Sequence, residues 1–344
     1  MKNRIFQITW MIAFFGAANT YAQTAVDYMN VFTTEYGKIQ QDMWDYTSSV
    51  SHGKSARKVE KRRGELIQTS NAALSKAKSA KGFNGSTQFR DSVIEYFRIS
   101  NIVLKEDYAK IVDMEAVSEE SYDAMEAYML ARDRANDRLL AASEMVEREQ
   151  KAFAAANNIT LISSEDALDK KMAIAGQVYD TYNEIYLIFF KSFKQELYLT
   201  DAIGRQDINA IEQNRNALIS TAKEGLAKID AVKPYKNDKS MVEATRKLLN
   251  FYIEEGTNEV PKMADYFMKT ENFNKVKKAF DEIPEKKRTQ ANVDEYNKAV
   301  NEMNAAVNTY NSTNQNLNKK RSALIDGWNG TAEKFTDTHV PKGK

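Results

Sequence analysis

The chain has no cysteine, only two histidines and only four prolines among its 344 residues. Without cysteine there is no disulfide framework and no thiolate metal site. The histidines, His52 and His339, lack the Glu-x-x-His spacing of di-iron bundles and the His-Glu-x-x-His spacing of zinc enzymes. The sequence therefore predicts no metal centre and no bound cofactor.

Proline and strand signals are equally scarce. No proline precedes Pro234, so long helices are permitted throughout the first half of the chain. Alternating runs of Val, Ile and Thr bounded by Asn-Gly or Asp-Gly turns are missing as well. These two absences predict an all-α fold.

The charge is nearly balanced, with 49 Lys and Arg residues against 48 Asp and Glu residues. This balance argues against nucleic acid as a partner of the whole chain. No nucleophile elbow of the Gly-x-Ser-x-Gly kind occurs, and the carboxylates alternate with lysines at helical spacing, as on a solvated helix face. We expect a protein that is not an enzyme, with no catalytic residues.

The first 22 residues follow the pattern of an export signal. Lys2 and Arg4 precede the apolar stretch Ile5–Ala18, and a small-x-small cleavage site ends at Ala22. About 14 apolar residues are too few for a spanning helix, which needs roughly 20. We predict a signal peptide at 1–22, an exported chain that is periplasmic or at the cell surface, and no transmembrane span in the mature chain.

One helical segment occurs twice. Residues 59–81 and 211–233 share eight identical residues at a constant offset of 152. In the first copy these are Glu60, Arg63, Leu66, Ile67, Thr69, Leu74, Lys76 and Lys81. A repeat of this length indicates a duplicated supersecondary unit. We therefore predict two tandem antiparallel four-helix bundle units with long helices, repeat 1 at 23–160 and repeat 2 at 161–344, the second with an extra segment at 270–288.

Hydrophobic periodicity and breaks place the individual helices. The predicted helices are 25–51, 54–81, 87–115, 119–157, 165–202, 206–232, 240–269 and 289–335. The last of them carries an a/d seam of eleven residues from Val293 to Trp328, a coiled-coil pattern. Two polar members of this seam, Asn314 and Arg321, are interpreted as fixing its register.

A basic cluster marks the start of the second predicted helix. It consists of Lys54, Arg57, Lys58, Lys61, Arg62 and Arg63. The cluster is either a solvated helix face or a patch for an anionic partner, such as an envelope protein, an anionic lipid or lipopolysaccharide. The duplicate segment 206–215 keeps only Arg215, so the fold does not require this charge. The pairs Glu60–Arg63 and Glu212–Arg215, at spacing i,i+3, are interpreted as structural.

Aromatic residues form a second candidate surface. Tyr182, Tyr186 and Phe190 lie at helical spacing in the fifth predicted helix. They are either core or the lining of a ligand cavity between the bundles.

Three short motifs carry a resemblance. They are Met43-Trp-Asp-Tyr46, His52-Gly-Lys-Ser-Ala-Arg-Lys-Val59 and Phe335-Thr-Asp-Thr-His339-Val-Pro341. Together they resemble an uncharacterised all-helical surface-protein family of spirochaetes and Bacteroidetes. The resemblance implies export, a helical body and surface display, and it implies no activity and no functional residue. Many members are lipid-anchored through a cysteine, which this chain lacks.

Three hypotheses for function follow. The first is an exported, non-enzymatic helical envelope or surface protein with a structural or interaction role. The second is a periplasmic carrier of a small molecule or lipid that uses the aromatic gap between bundles. The third is a pore-forming helical toxin, which would need an apolar hairpin that the mature sequence does not offer.

Overall fold

The computed structural model describes residues 12–14, 20–112, 121–162 and 167–342, and within them the chain is almost entirely helical. Its α-helices are α1 (Thr20–Ser51), α2 (Ala56–Ser79), α3 (Gln88–Val112), α4 (Tyr122–Ala156), α5 (Ala167–Gly204), α6 (Ile208–Ala231), α7 (Ser240–Glu254), α8 (Val260–Glu282) and α9 (Gln290–His339). A π-helical segment, Glu255–Glu259, connects α7 to α8, and short 3₁₀ turns lie at Tyr235–Asn237 and Glu285–Lys287. The predicted all-α class is confirmed.

The helix boundaries follow from local chemistry. The side chains of Ser121 and Asp207 cap α4 and α6 by accepting hydrogen bonds from the amides of Ala124 and Ala210, at 3.1 and 3.0 Å. The loop after α1 turns at Gly53, whose φ of +58° favours glycine. The predicted helix ends at 115 and 119, and most of the predicted signal peptide, lie outside the described residues.

The chain packs as two compact units. Unit 1 comprises residues 1–181 and 333–344, and unit 2 comprises residues 182–332. Helices α5 and α9 contribute residues to both. The sequence predicts a boundary at 160/161 from the repeat, whereas the packed units divide at 181/182 and at 332/333.

Each unit has a core rich in aromatic residues. In unit 1, the ring of Phe32 packs edge-on against Phe89 at 5.4 Å, and Tyr36 lies 6.0 Å from Tyr96. In unit 2, Leu248, Leu249 and Tyr252 of α7 are completely buried. Burial of such apolar surface is the main stabilising contribution in a chain without disulfides.

A short sheet departs from the sequence-based expectation that strands are absent. Strands β1 (Ile12–Phe14) and β2 (Thr160–Ile162) pair antiparallel, with Ala13 opposite Leu161. Three residues are too few to show the alternation that predicts a strand. Because β1 lies inside the predicted signal peptide, cleavage after Ala22 would remove this partner of β2.

The second departure concerns the predicted extra segment 270–288. The structure shows no break at residue 269, and α8 continues to Glu282. No glycine or proline occurs between Lys262 and Ile283, so nothing interrupts the helix before Pro284. The break in this region lies earlier, at the π-helical segment, where the sequence pattern predicts continuous helix.

The long C-terminal seam is present. Helix α9 has 50 residues, about 75 Å at 1.5 Å per residue. All eleven residues of the predicted seam are buried or half-buried. Arg321 meets two buried carboxylates, which explains how a charged residue fits in an apolar seam.

Candidate functional site

A cleft of about 540 Å³ lies in unit 1, between the C-terminal part of α1, the start of α2 and the start of α5. Its lining residues are Gln41, Trp44, Asp45, Ser48, Ser49, Lys54, Lys58, Arg62, Ala167, Leu168 and Lys171. Four of them are cationic and one is acidic. The cleft therefore has an excess of positive charge and is the candidate site.

Two of the cations are held in position by contacts with other side chains. Arg62 donates to Glu65 at 2.8 Å and lies 3.3 Å from a carboxylate oxygen of Asp45. The hydrogen bond from Arg62 lowers the pKa of Glu65. Lys171 lies over the ring of Trp44, 5.5 Å from its centroid, in cation–π geometry. These two side chains form the ordered wall of the cleft.

Lys54 and Lys58 differ from that pair. Both are exposed, and no ion pair to either side chain occurs within the described part of the chain. Lys58 lies in the first turn of α2, which contains no acidic residue. The N-terminus of a helix carries partial positive charge, so a cation there destabilises the helix by roughly 0.3–1 kcal/mol. Stability of α2 does not explain these lysines.

Neutral hydrogen-bonding groups complete the cleft. The Gln41 amide donates to Asp45 Oδ1 at 3.0 Å, and the Ser49 hydroxyl donates to the Asp45 carbonyl at 2.7 Å. Ser48 also lines the cleft. Because the Ser49 proton is used within α1, the groups that match the oxygen acceptors of a phosphate are the cations, the Ser48 hydroxyl and the second N–H of the Gln41 amide.

The structure brings together only part of the predicted basic cluster. Lys54, Lys58 and Arg62 line the cleft, whereas Arg57 and Lys61 are exposed outside it. Lys61 instead lies 3.7 Å from Glu65. Spacing explains the division, because Lys58 and Arg62 lie four residues apart on one face of α2, while Lys54 reaches the cleft from the loop just before the helix.

Lys171 is a cleft residue that the sequence patterns do not predict. It reaches the site because α5 begins beside the C-terminal half of α1, where Gln40 also donates to Asp169 at 2.6 Å. No local pattern in residues 167–171 shows this contact, since it depends on tertiary packing between segments that are far apart in sequence.

Next to the cleft, two of the short motifs meet. His52 directs Nδ1 to the Asp337 carboxylate at 2.8 Å and Nε2 to the Pro341 carbonyl at 3.1 Å. The hydrogen bond with His52 lowers the pKa of Asp337. The buried side chains of Phe335 and Val340 hold the same C-terminal segment in unit 1. His52 thus has a structural role, joining the end of α1 to the end of the chain.

The predicted aromatic face lies in unit 2. Tyr186 stacks between Tyr182 at 5.9 Å and Phe190 at 5.4 Å, and the two tyrosines lie 6.3 and 6.1 Å from Trp328. The Trp328 indole donates to the Thr245 hydroxyl at 2.8 Å. Phe190 is buried, and the indole joins this face to α7 and α9.

Chemical features of other site classes are not found in the described ranges. No group of three or more His, Cys, Asp or Glu residues there has the geometry to hold a metal ion. In those same ranges no helix combines the length and apolar character needed to cross a membrane.

Comparison with models of protein families, with curated proteins and with solved structures finds no match to this chain.

Proposed function

We propose that this protein is an exported, non-enzymatic helical envelope protein that binds a phosphate-bearing ligand in the unit 1 cleft. The observation that carries the proposal is the pair Lys54 and Lys58, two exposed cations facing one cleft at the N-terminus of a helix. A bound dianion would compensate the charge that these side chains and the helix terminus concentrate there.

The ordered wall of the cleft supports the same ligand class. Arg62 and Lys171 are held by neighbouring side chains before any ligand arrives, which lowers the entropy that binding must overcome. The exposed Lys54 and Lys58 then contact the bound anion from the open side.

The duplicated architecture is part of the proposal. Helices α2 and α6 both have 24 residues and begin 152 residues apart. The turns that follow them repeat the same backbone, with φ of 49° at Asn84 and 47° at Lys236, then 83° at Gly85 and 64° at Asn237. Two consecutive left-handed residues at the same offset support common descent of the two segments.

Export rests on the first 22 residues and on the resemblance to helical surface proteins. A protein in the envelope meets phosphate groups as free phosphomonoesters and as lipid headgroups. Both present the same chemistry to the cleft, so the experiment must separate them.

The test uses the mature chain, 23–344, and its Lys54→Glu/Lys58→Glu variant at low salt. Glycerol phosphate, monitored by titration calorimetry, probes the free phosphomonoester. Sedimentation with phosphatidylglycerol vesicles, compared with phosphatidylcholine vesicles, probes the headgroup. The matched control is Lys277→Glu/Lys278→Glu, which changes net charge equally at two exposed positions of α8.

We expect the wild type and the control to bind at least one phosphate probe, and the cleft variant to lose at least ten-fold in affinity. Binding of glycerol phosphate identifies a soluble ligand, and binding of anionic vesicles alone identifies a headgroup. If neither probe binds, or if both double variants lose binding equally, the proposal is wrong.

A further inference from the structure

A group of buried charges lies in unit 2, apart from the cleft. Glu196 of α5 and Glu255, the first residue of the π-helical segment, are each only 1% exposed. Arg321 of α9 makes ion pairs with both carboxylates and is itself largely buried. We refer to Glu196, Glu255 and Arg321 as the buried triad.

The charges of the triad do not balance when both glutamates are ionised. Two carboxylates then face one guanidinium, which leaves a single negative charge in a site without solvent. An uncompensated buried charge is strongly unfavourable, whereas a buried carboxyl that binds a proton is tolerated.

Among the described residues, Arg321 is the cation whose charge and hydrogen bond lower the pKa of Glu196 and of Glu255, and other nearby cations contact other groups. Lys320, next to Arg321, pairs with the half-exposed Glu254 at 2.5 Å. Lys194 of α5 lies over the Tyr198 ring, 5.8 Å from its centroid. On α6, Arg215 donates to Glu212 at 2.7 Å and to the Gly256 carbonyl at 3.3 Å.

Four buried polar atoms at or beside the triad have no hydrogen-bond partner among the residues that the structure describes. They are Glu196 Oε1, Glu255 Oε2, Arg321 Nε and the hydroxyl of the fully buried Tyr252; the first and third of these form an ion pair. Buried polar atoms are normally hydrogen-bonded. A protonated carboxyl adds the O–H donor that two ionised carboxylates cannot provide.

We propose that Glu196 and Glu255 together bind one proton that is released as the pH rises through neutrality, and that the protonated buried triad is electrically neutral. Arg321 balances the one remaining carboxylate, and the proton distinguishes this site from an ordinary salt bridge. The π-helical segment supports the assignment, because it sets Glu255 facing the interior and such segments often accompany functional sites.

The electrostatics agree with the geometry. Burial raises the pKa of Glu196 to about 7, with a decrease from Arg321 and a further increase from the charge of Glu255. Burial also raises the pKa of Glu255 and of Tyr252. The two glutamates interact, so their titration belongs to the pair.

The bound proton makes the stability of unit 2 depend on pH. The folded state holds the proton at a pH where a carboxyl of the unfolded chain, with an ordinary pKa near 4.5, has released it. The contribution of this proton to stability is therefore fully present below the ordinary carboxyl pKa. It decreases as the pH rises from about 4.5 to 7 and levels off above 7. Mild acid should strengthen the contacts between α5, the π-helical segment and α9.

The experiment compares the mature chain with Glu196→Gln and with the control Glu254→Gln, which alters an exposed carboxylate next to the triad. Infrared spectra recorded from pH 5 to pH 9 detect a protonated carboxyl directly. Thermal unfolding over the same range gives the pH dependence of Tm.

In the wild type and the control we expect a protonated carboxyl band at pH 6 that disappears by pH 9, together with a Tm that falls as pH rises. In Glu196→Gln the carboxyl band should be absent, and most of the decrease in Tm with rising pH should be absent too. A wild type without the band at pH 6, or a Glu196→Gln variant with an unchanged pH profile, overturns the proposal. If Glu196→Gln does not fold, the wild-type spectrum still decides, and Glu255→Gln serves as the second variant.

Discussion

Helices α2 and α6 have the same length and the same backbone at their C-terminal ends, but they differ at their N-termini. Both have 24 residues, and both end at an extended residue with nearly the same backbone angles, φ −67° and ψ 134° at Ala80 and φ −64° and ψ 131° at Val232. Leu66 and Leu218 are fully buried at the same position of each helix. The predicted i,i+3 pairs Glu60–Arg63 and Glu212–Arg215 are both present, at 3.2 and 2.7 Å.

The two helices differ at their N-termini. In α6, Asp207 caps the helix and the first turn holds Asn209 and Ala210. In α2, the Ser55 side chain makes no capping hydrogen bond, and the first turn holds Arg57 and Lys58. The two helices share their buried apolar positions and differ in these cations, for which we propose a role in ligand binding. Proteins often sacrifice stability in this way at binding sites.

The largest loss of stability should come from removing the buried leucine that occupies the same position in α2 and α6. We expect Leu66→Ala and Leu218→Ala each to reduce the free energy of unfolding by about 3 kcal/mol, because each removes a buried side chain and leaves a cavity. Chemical denaturation of the two single variants measures this. A loss of stability in only one of the two variants would show that the two positions are not equivalent.

Substitution of alanine for Gly256 and for Gly64 should change stability in opposite directions. A Cβ added at Gly256, in the π-helical segment, would lie 2.7 Å from Cγ1 of Ile219 in α6, whereas one added at Gly64 in α2 meets no atom within 4 Å. We expect Gly256→Ala to destabilise by about 1–3 kcal/mol and Gly64→Ala to stabilise by about 0.5–1 kcal/mol. Thermal unfolding of both variants tests this, and destabilisation by Gly64→Ala would contradict it.

Removal of the side chain at the N-terminal cap position should also affect stability differently in the two helices. Asp207→Ala removes a hydrogen bond to the Ala210 amide and should cost about 1 kcal/mol, while Ser55→Ala should change stability by less than about 0.5 kcal/mol. Denaturant unfolding gives both values. Equal losses would mean that Ser55 caps α2 in solution.

The smallest effect concerns an acid-sensitive ion pair in unit 2. Hydrogen bonds from Lys228 and Lys191 lower the pKa of Glu224 to about 2, whereas the matched position in α2 is Ala72. A depressed pKa stabilises the fold above the ordinary carboxyl value, and this contribution is lost as the pH falls from about 4.5 to 2. Because Glu224 is half-exposed, we expect less than about 1 kcal/mol. Unfolding of wild type and Glu224→Gln at pH 3 and pH 7 measures it, and identical pH dependence would refute the assignment.

Much of the fold could be predicted from sequence because it depends on local signals. The Gly53 and Gly82–Gly85 breaks and the a/d seam of α9 all act over a few residues. The sequence does not predict the strand pair, the π-helical segment or the length of α8. Strand β2 depends on a partner that is distant in sequence. In the π-helical segment, Gly256 lies against Ile219 of α6 and Glu255 pairs with Arg321 of α9, and these tertiary contacts have no local sequence signal.

The site could be predicted only in part for the same reason. Lys54, Lys58 and Arg62 are visible as members of the basic cluster, but the contribution of Lys171 depends on packing of α5 near α1. Likewise Arg321 is visible as an exception in an apolar seam, whereas its partners Glu196 and Glu255 lie on two other elements.

The most direct test of the account exchanges the N-terminal charges of α2 for the matched residues of α6. The variant Lys54→Gln/Lys58→Ala/Arg62→Asn takes its new residues from Gln206, Ala210 and Asn214. We predict an unfolding free energy within about 1 kcal/mol of wild type, together with loss of phosphate binding. A variant that unfolds several kcal/mol more easily, or that still binds as tightly as wild type, would contradict the separation of fold and function between the two helices.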